Sequence, residues 1–308
     1  DGTTHGESIM SFETERVKAI REGERPSLSF SKPLEGAKLR VLSLGAGVQS
    51  SVLALMAAKG EIGPKLDCAI FADTQYEPKA VYAHLKWLID TVSNPLLVEN
   101  PFPVYQVTAG NIKEDSMAGV NIFGTKFSSM PLFTTGKMGM RQCTNDYKIQ
   151  PVKKETRKLL GLAYRQKAPK VPIVEQWIGI STDEMQRMKL SREKYVQNRW
   201  PLIEANMNRR DCLAWFDKNY PNQHLPKSAC ITCPFRTNAE WRDMKKNSPD
   251  DWAEAVEFDY AIRDVSDGEK QYSHKSCVPL DEVDLSTAAD KGQVEFGFLE
   301  ECEGMCGV

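Results

Sequence analysis

Cys230 and Cys233 are separated by two residues in Ala229-Cys230-Ile231-Thr232-Cys233-Pro234-Phe235-Arg236. Two thiolates at this spacing suit one side of a zinc site, two corners of an iron–sulfur cluster, or a redox disulfide. A second pair closes the chain in Glu301-Cys302-Glu303-Gly304-Met305-Cys306-Gly307. Cys302 and Cys306 would complete a four-thiolate zinc site with Cys230 and Cys233, or act alone as a disulfide switch. The other stretch with chemistry in it is Gly45-Ala46-Gly47-Val48-Gln49-Ser50-Ser51. A glycine turn that enters a helix gathers backbone N–H groups at the positive helix end, so it holds phosphate without side-chain charge. Gly45 and Gly47 allow close approach, and Ser50 and Ser51 add hydroxyl donors. No Gly-Lys-Ser/Thr follows, and the third glycine of a dinucleotide fingerprint is missing.

Cations surround these stretches. Arg141, Lys148 and Lys153 flank Cys143, Arg236 follows the Cys-x-x-Cys run, and Arg187 follows Asp183-Glu184. Positive charge here would neutralise a phosphate or sulfate and lower nearby thiol pKa values. The four histidines contain no i, i+4 ligand pair. Cys68 and Cys212 read as small buried hydrophobes.

The elements that must position these groups follow from the apolar runs. Leu39–Leu44 and Cys68–Ala72 read as buried strands, and Val104–Val107 as a third. Ser50–Gly60 and Pro78–Asp90 read as the helices between them. This alternation predicts an open, mainly parallel, twisted α/β sheet with helices on both faces, and it puts an anion at the C-terminal strand ends beside the 45–51 turn. Gly110–Gly139 lacks a period and reads as a long functional loop. Asp146–Leu160 reads as helix, Ile173–Ile180 as a strand, and Asp211–Asn219 and Asn238–Arg263 as further helices. Three regions are expected: an N-terminal arm (1–36), a nucleotide-binding domain (37–264) and an acidic tail with a cysteine pair (265–308).

The chain has 308 residues, with 40 Lys plus Arg against 42 Asp plus Glu. A formal net charge of −2 excludes a globally basic nucleic-acid-coating protein, not a local basic groove. Between Lys137 and Lys170 ten basic residues face two acidic ones, and between Asp281 and Glu303 eight acidic residues face one basic. Eight cysteines are too few for a disulfide scaffold of this length. A mean hydropathy of −0.45 and no long apolar run argue against a membrane span or a signal-peptide core, so the cytoplasm is the expected compartment.

Three further segments act together with the glycine turn. They are Phe71-Ala72-Asp73-Thr74-Gln75-Tyr76-Glu77-Pro78, Arg141-Gln142-Cys143-Thr144-Asn145-Asp146-Tyr147-Lys148-Ile149-Gln150-Pro151-Val152-Lys153, and the Cys230 run. In order and spacing they resemble the phosphoadenosine phosphosulfate (PAPS) reductase family, within the PP-loop, adenine nucleotide alpha-hydrolase-like ATP pyrophosphatases. The resemblance covers roughly residues 38–263. It implies that fold with a C-terminal helical extension, and an adenine nucleotide (ATP, PAPS or APS, with Mg2+) held by Gly45, Ala46, Gly47, Gln49, Ser50, Ser51, Asp73, Lys148 and Arg236. It also implies Cys143 as a third ligand beside Cys230 and Cys233, for a 4Fe–4S cluster or, as the alternative, zinc. Three protein ligands would leave one iron open, as in tRNA-thiolating relatives. Arg187 stands where the family has a charged cluster, and Cys302 and Cys306 partly match the catalytic tail cysteine of cluster-free reductases. Here Gln49 replaces the family's Asp, and Cys143-Thr144 replaces its double cysteine. The implied partners are a nucleic-acid substrate at the basic 137–170 stretch, and a sulfur donor or thioredoxin-type protein. The activities expected are ATP-dependent sulfur transfer, phosphosulfate reduction, or nucleotide binding without turnover.

Overall fold

The computed structural model describes residues 32–266, 268–287 and 290. Most of the N-terminal arm, and Cys302 and Cys306, lie outside them. Five strands form one parallel sheet in the order β3-β2-β1-β6-β7: β1 (Leu39–Leu44), β2 (Cys68–Asp73), β3 (Val104–Thr108), β6 (Val174–Ile178) and β7 (Val196–Arg199). The chain winds from β1 outward to β3 and then crosses back to place β6 on the other side of β1. The open α/β architecture is therefore the one expected, with the reversal of strand order between β1 and β6.

β1, β2 and β6 are buried on both faces, which is why their runs read as nearly continuous apolar segments, whereas β3, at one edge, is largely exposed. Leu42, Leu44, Phe71 and Trp177 face a core shared with α1 (Val48–Ala58), α2 (Lys79–Val92) and α6 (Arg209–Asn219). Val41, Ile70 and Val174 face the opposite core, closed by Val152 of α4 (Gln150–Leu159) and by Tyr195. A further core, containing Tyr76, Tyr147, Ile231, Trp241 and Phe258, joins α7 (Asn238–Asn247) and α8 (Pro249–Ala261) to the segment after β2.

Three elements differ from the expectation. The single helix over 238–263 is two helices, because Pro249 has no N–H to give and its ring obstructs the carbonyl of the preceding turn; it opens α8 instead. The 110–139 stretch contains a short helix, α3 (Ile112–Met117), capped by the Asn111 side chain, and a hairpin of β4 (Phe133–Thr134) and β5 (Lys137–Met138). The helix expected from Asp146 begins as a wide π-helical turn over Thr144–Ile149 and only then tightens into α4. A short helix, α5 (Pro201–Glu204), follows β7.

The segment after α8 is fastened to it. Asp259, fully buried, accepts from Ser273 N (2.7 Å) and Leu280 N (3.1 Å) and pairs with Arg263.

Candidate functional site

Parallel strands bring the residues that follow them to one edge, so Gly45, Thr74 and Gly179 are neighbours there. The turn after β1 is tight. Ala46, at φ 55°, takes the left-handed conformation, and Gly47 caps α1 without any side-chain hydrogen bond. The first-turn amides of α1 thus have no capping side chain over them, which is the arrangement that receives an anion. Ser50 knits the turn: its Oγ accepts from Gly45 N (3.2 Å) and donates to Gly47 O (3.3 Å). Gly179 packs directly on this turn. A Cβ there would lie 2.8 Å from both Cα and N of Ser50.

Gln49 does what an aspartate in its place would not. Its Nε2 donates to Glu184 Oε2 (3.1 Å) and Ser181 Oγ (3.3 Å), while its Oε1 accepts from Arg209 Nη1 (3.1 Å). A carboxylate could not donate to Glu184 and would repel it; the amide joins a carboxylate and a guanidinium in one neutral bridge. Glu184 also pairs with Arg187. Arg209, whose N–H bonds Asp183 Oδ1 (3.1 Å), was not singled out from sequence. Its only local signal is the Asn208–Asp211 capping box that starts α6 and so directs the residue after the cap.

Ser51 turns away from the turn. It is fully buried, and its Oγ lies 2.9 Å from His84 Nε2. Burial lowers the His84 pKa from 6.5 to about 4, so the ring is neutral at pH 7. Above pH 6.5 this costs nothing in either state. As pH falls from 6.5 towards 4, the unfolded chain takes a proton that the folded chain refuses, removing up to on the order of 3 kcal/mol of stability. Urea midpoints at pH 7 and pH 4.5 should therefore drop further in the native chain than in His84→Gln; equal drops would refute the assignment.

The cysteines converge. Cys143, Cys230 and Cys233 line one cavity together with Arg141, Lys148 and Thr74. Cys230 reaches it from a turn closed by Cys233 N bonding Cys230 O (3.0 Å) and held to the segment after β2 by Ile231 N on Tyr76 O (2.9 Å). Cys143 arrives at the head of the π-helical turn, its N–H on Ser129 O (2.8 Å). Thr74 Oγ1 contacts Cys230 Sγ at 3.4 Å, and Ser228 donates to the carbonyl of Gly45. The thiol cavity is thereby tied to the glycine turn. Burial, aided by the nearby Glu77 carboxylate, pushes the Cys230 thiol up to about 12, while Lys148 and Thr74 oppose the shift.

Three thiols supply the donor type that zinc and iron–sulfur clusters take. All three line the same cavity, although among the described residues no three His, Cys, Asp or Glu side chains form a metal-holding group.

The remaining candidates have structural partners. Asp73 Oδ1 accepts from Tyr82 OH (2.8 Å) and Gln75 N (2.7 Å). Lys148 lies 3.7 Å from Glu77. The Arg236 guanidinium bonds the carbonyls of Ala229 (3.0 Å), Cys230 (3.1 Å) and Ile231 (2.9 Å), so it braces the cysteine turn from behind. Arg141 stacks 5.0 Å from the Phe235 ring at the cavity wall. No family model matches the chain, and no curated protein matches it. Among the described residues, no helix is long and apolar enough to cross a membrane.

Proposed function

We propose that the chain binds ATP at the 45–50 turn and uses the adjoining thiol cavity for sulfur transfer. Substrate oxygen attacks the α-phosphorus and pyrophosphate leaves; sulfur then attacks the activated substrate atom, and AMP departs with the oxygen. The observation that carries this reading is the direct link between the two sites, through Ser228 on Gly45 and Thr74 on Cys230. A nucleotide phosphate at the α1 N-terminus would be held by backbone amides. Gln49 orients Arg209 and Glu184 beside that position, and Gly179 keeps the turn closed on α1. Cys143, Cys230 and Cys233 would be the ligands of a thiolate-bound group. Bound there, a 4Fe–4S cluster would supply an open iron to carry the transferred sulfur.

Two measurements test the reading. Anaerobically purified protein should contain on the order of four irons and four sulfides per chain, and Cys230→Ser should lose most of both. Colourless protein with stoichiometric zinc would overturn the cluster. Pyrophosphate should be released from ATP in the presence of an acceptor; its absence with every nucleotide and nucleic-acid acceptor tried would overturn the ATP chemistry.

A further inference from the structure

The positive charge of this chain is concentrated on a face built from three pieces. They are α4, the segment 161–172, and the segment 189–194, which holds Lys189, Arg192 and Lys194. The three share one core: Val152 and Leu159 of α4, Ala168, Ile173 and Tyr195 pack together. They are also cross-bonded, by Arg157 Nη2 on Gln166 O (2.6 Å), by Ile173 N on Tyr195 O (2.9 Å) and by the Lys153–Glu193 pair. Ten basic residues stand on these pieces against two acidic ones, in a chain of net charge −2. Both acidic residues are already engaged, Glu155 with Lys158 and Glu193 with Lys153. That leaves Lys154, Arg165, Lys167, Lys170, Lys189, Arg192 and Lys194 exposed, with no ion pair among the described residues.

Charge alone would fit any polyanion. The aromatic group narrows it. Tyr164 is 88% exposed, and the Arg165 guanidinium lies 5.2 Å from its ring centroid. Leaving a tyrosine ring in water among lysines gains nothing for folding. An exposed ring with an arginine over it, set among spaced cations, is a platform on which an unstacked base can lie while its phosphates meet the lysines. Behind the rim the face also holds a cavity in which Asn145, Gln150 and Gln176 stand among apolar Ile149, Val152 and Val196. Amide side chains of this kind can pair with a base edge.

We propose that this face binds a single-stranded polynucleotide, with Tyr164 as the stacking platform and Arg165, Lys167, Lys170, Arg192 and Lys194 on the phosphates. The inference deepens the sulfur-transfer reading by naming its substrate class. It rests on that reading only for the strand being substrate; binding is tested without ATP.

Fluorescence anisotropy with a labelled 15-mer oligonucleotide, in single-stranded and duplex form, reads it directly. The single strand should bind more tightly, and log affinity should fall with log salt by about 0.7 per phosphate contact. The triple substitution Arg165→Gln, Lys167→Gln, Lys170→Gln should weaken binding at least about tenfold and flatten the salt slope by about 2. Tyr164→Ala should weaken it about tenfold, and Tyr164→Phe should restore it. Lys86→Gln, on α2, should change nothing. Unchanged affinity in both the triple variant and Tyr164→Ala would overturn the proposal. So would binding to phosphatidylserine vesicles without binding to the oligonucleotide. A chain that binds the strand but never releases pyrophosphate would leave this face standing and remove the ATP chemistry; the reverse result would remove the face alone.

Discussion

Gly179→Ala should lower nucleotide affinity and turnover by about a hundredfold while the sheet still forms. The added Cβ would sit 2.8 Å from Cα and N of Ser50, well inside normal contact. Both opposing atoms are backbone, so no side chain can swing aside. Either β6 or the first turn of α1 must move by several tenths of an ångström. The turn is the softer of the two, since β6 is paired on both sides. It is also the part whose amide directions matter, and a misplacement approaching about 1 Å in a preorganised site can cost about 10²-fold. Isothermal titration with ATP and a pyrophosphate-release assay would measure it. Gly63→Ala is the control, because a Cβ there meets nothing within 4 Å. ATP affinity equal to that of the native chain would show that the turn does not hold phosphate.

Glu175→Ala should destabilise the fold by about 3–5 kcal/mol, the usual cost of breaking a buried ion pair from one side. Glu175 is fully buried on β6. Its carboxylate accepts from Trp177 Nε1 (2.6 Å), Arg199 Nη1 (3.2 Å) and the N–H of Leu34, and lies 3.8 Å from Arg40 Nε. It thus ties β6 to β1, β7 and the segment leading into β1. Removing it leaves Arg199 buried, with Glu204 to balance its charge among the described residues. Domains are commonly stable by only about 5–15 kcal/mol, so the variant should fold poorly at 37 °C. Glu175→Gln keeps the shape and should fall between the two. Urea unfolding reads the difference, and a change under about 1 kcal/mol for Glu175→Ala would refute the role given to this network.

What the sequence made legible was whatever depends on local pattern. β1, β2 and the glycine turn are read directly, because strands buried on both faces are apolar throughout. β7 escaped because Val196-Gln197-Asn198-Arg199 is polar: it lies at the sheet edge, and its Arg199 is buried by ion pairing rather than by apolarity. The break at Pro249 carried a readable signal in Ser248-Pro249 that a long apolar period obscured. In the site, Cys143, Cys230 and Cys233 come from separate segments to line one cavity. Gln49, Glu184 and Arg209 do not announce their contact, since their bonds span 135 and 160 positions of chain. Arg236 illustrates the opposite error: a cation beside a thiol motif looks like an anion ligand, yet its donors go to three backbone carbonyls.

The π-helical turn ahead of α4 has a mechanical meaning. One wide turn directs Cys143, Thr144 and Lys148 into the thiol cavity and Asn145 and Ile149 into the second cavity, on the basic face. A single rod therefore forms a wall of two chambers. A guest that turned it on one side would alter the fit on the other. Such coupling would be reciprocal by thermodynamic necessity: whatever factor a strand on the proposed face applied to affinity in the thiol chamber, occupancy of that chamber would apply to the strand.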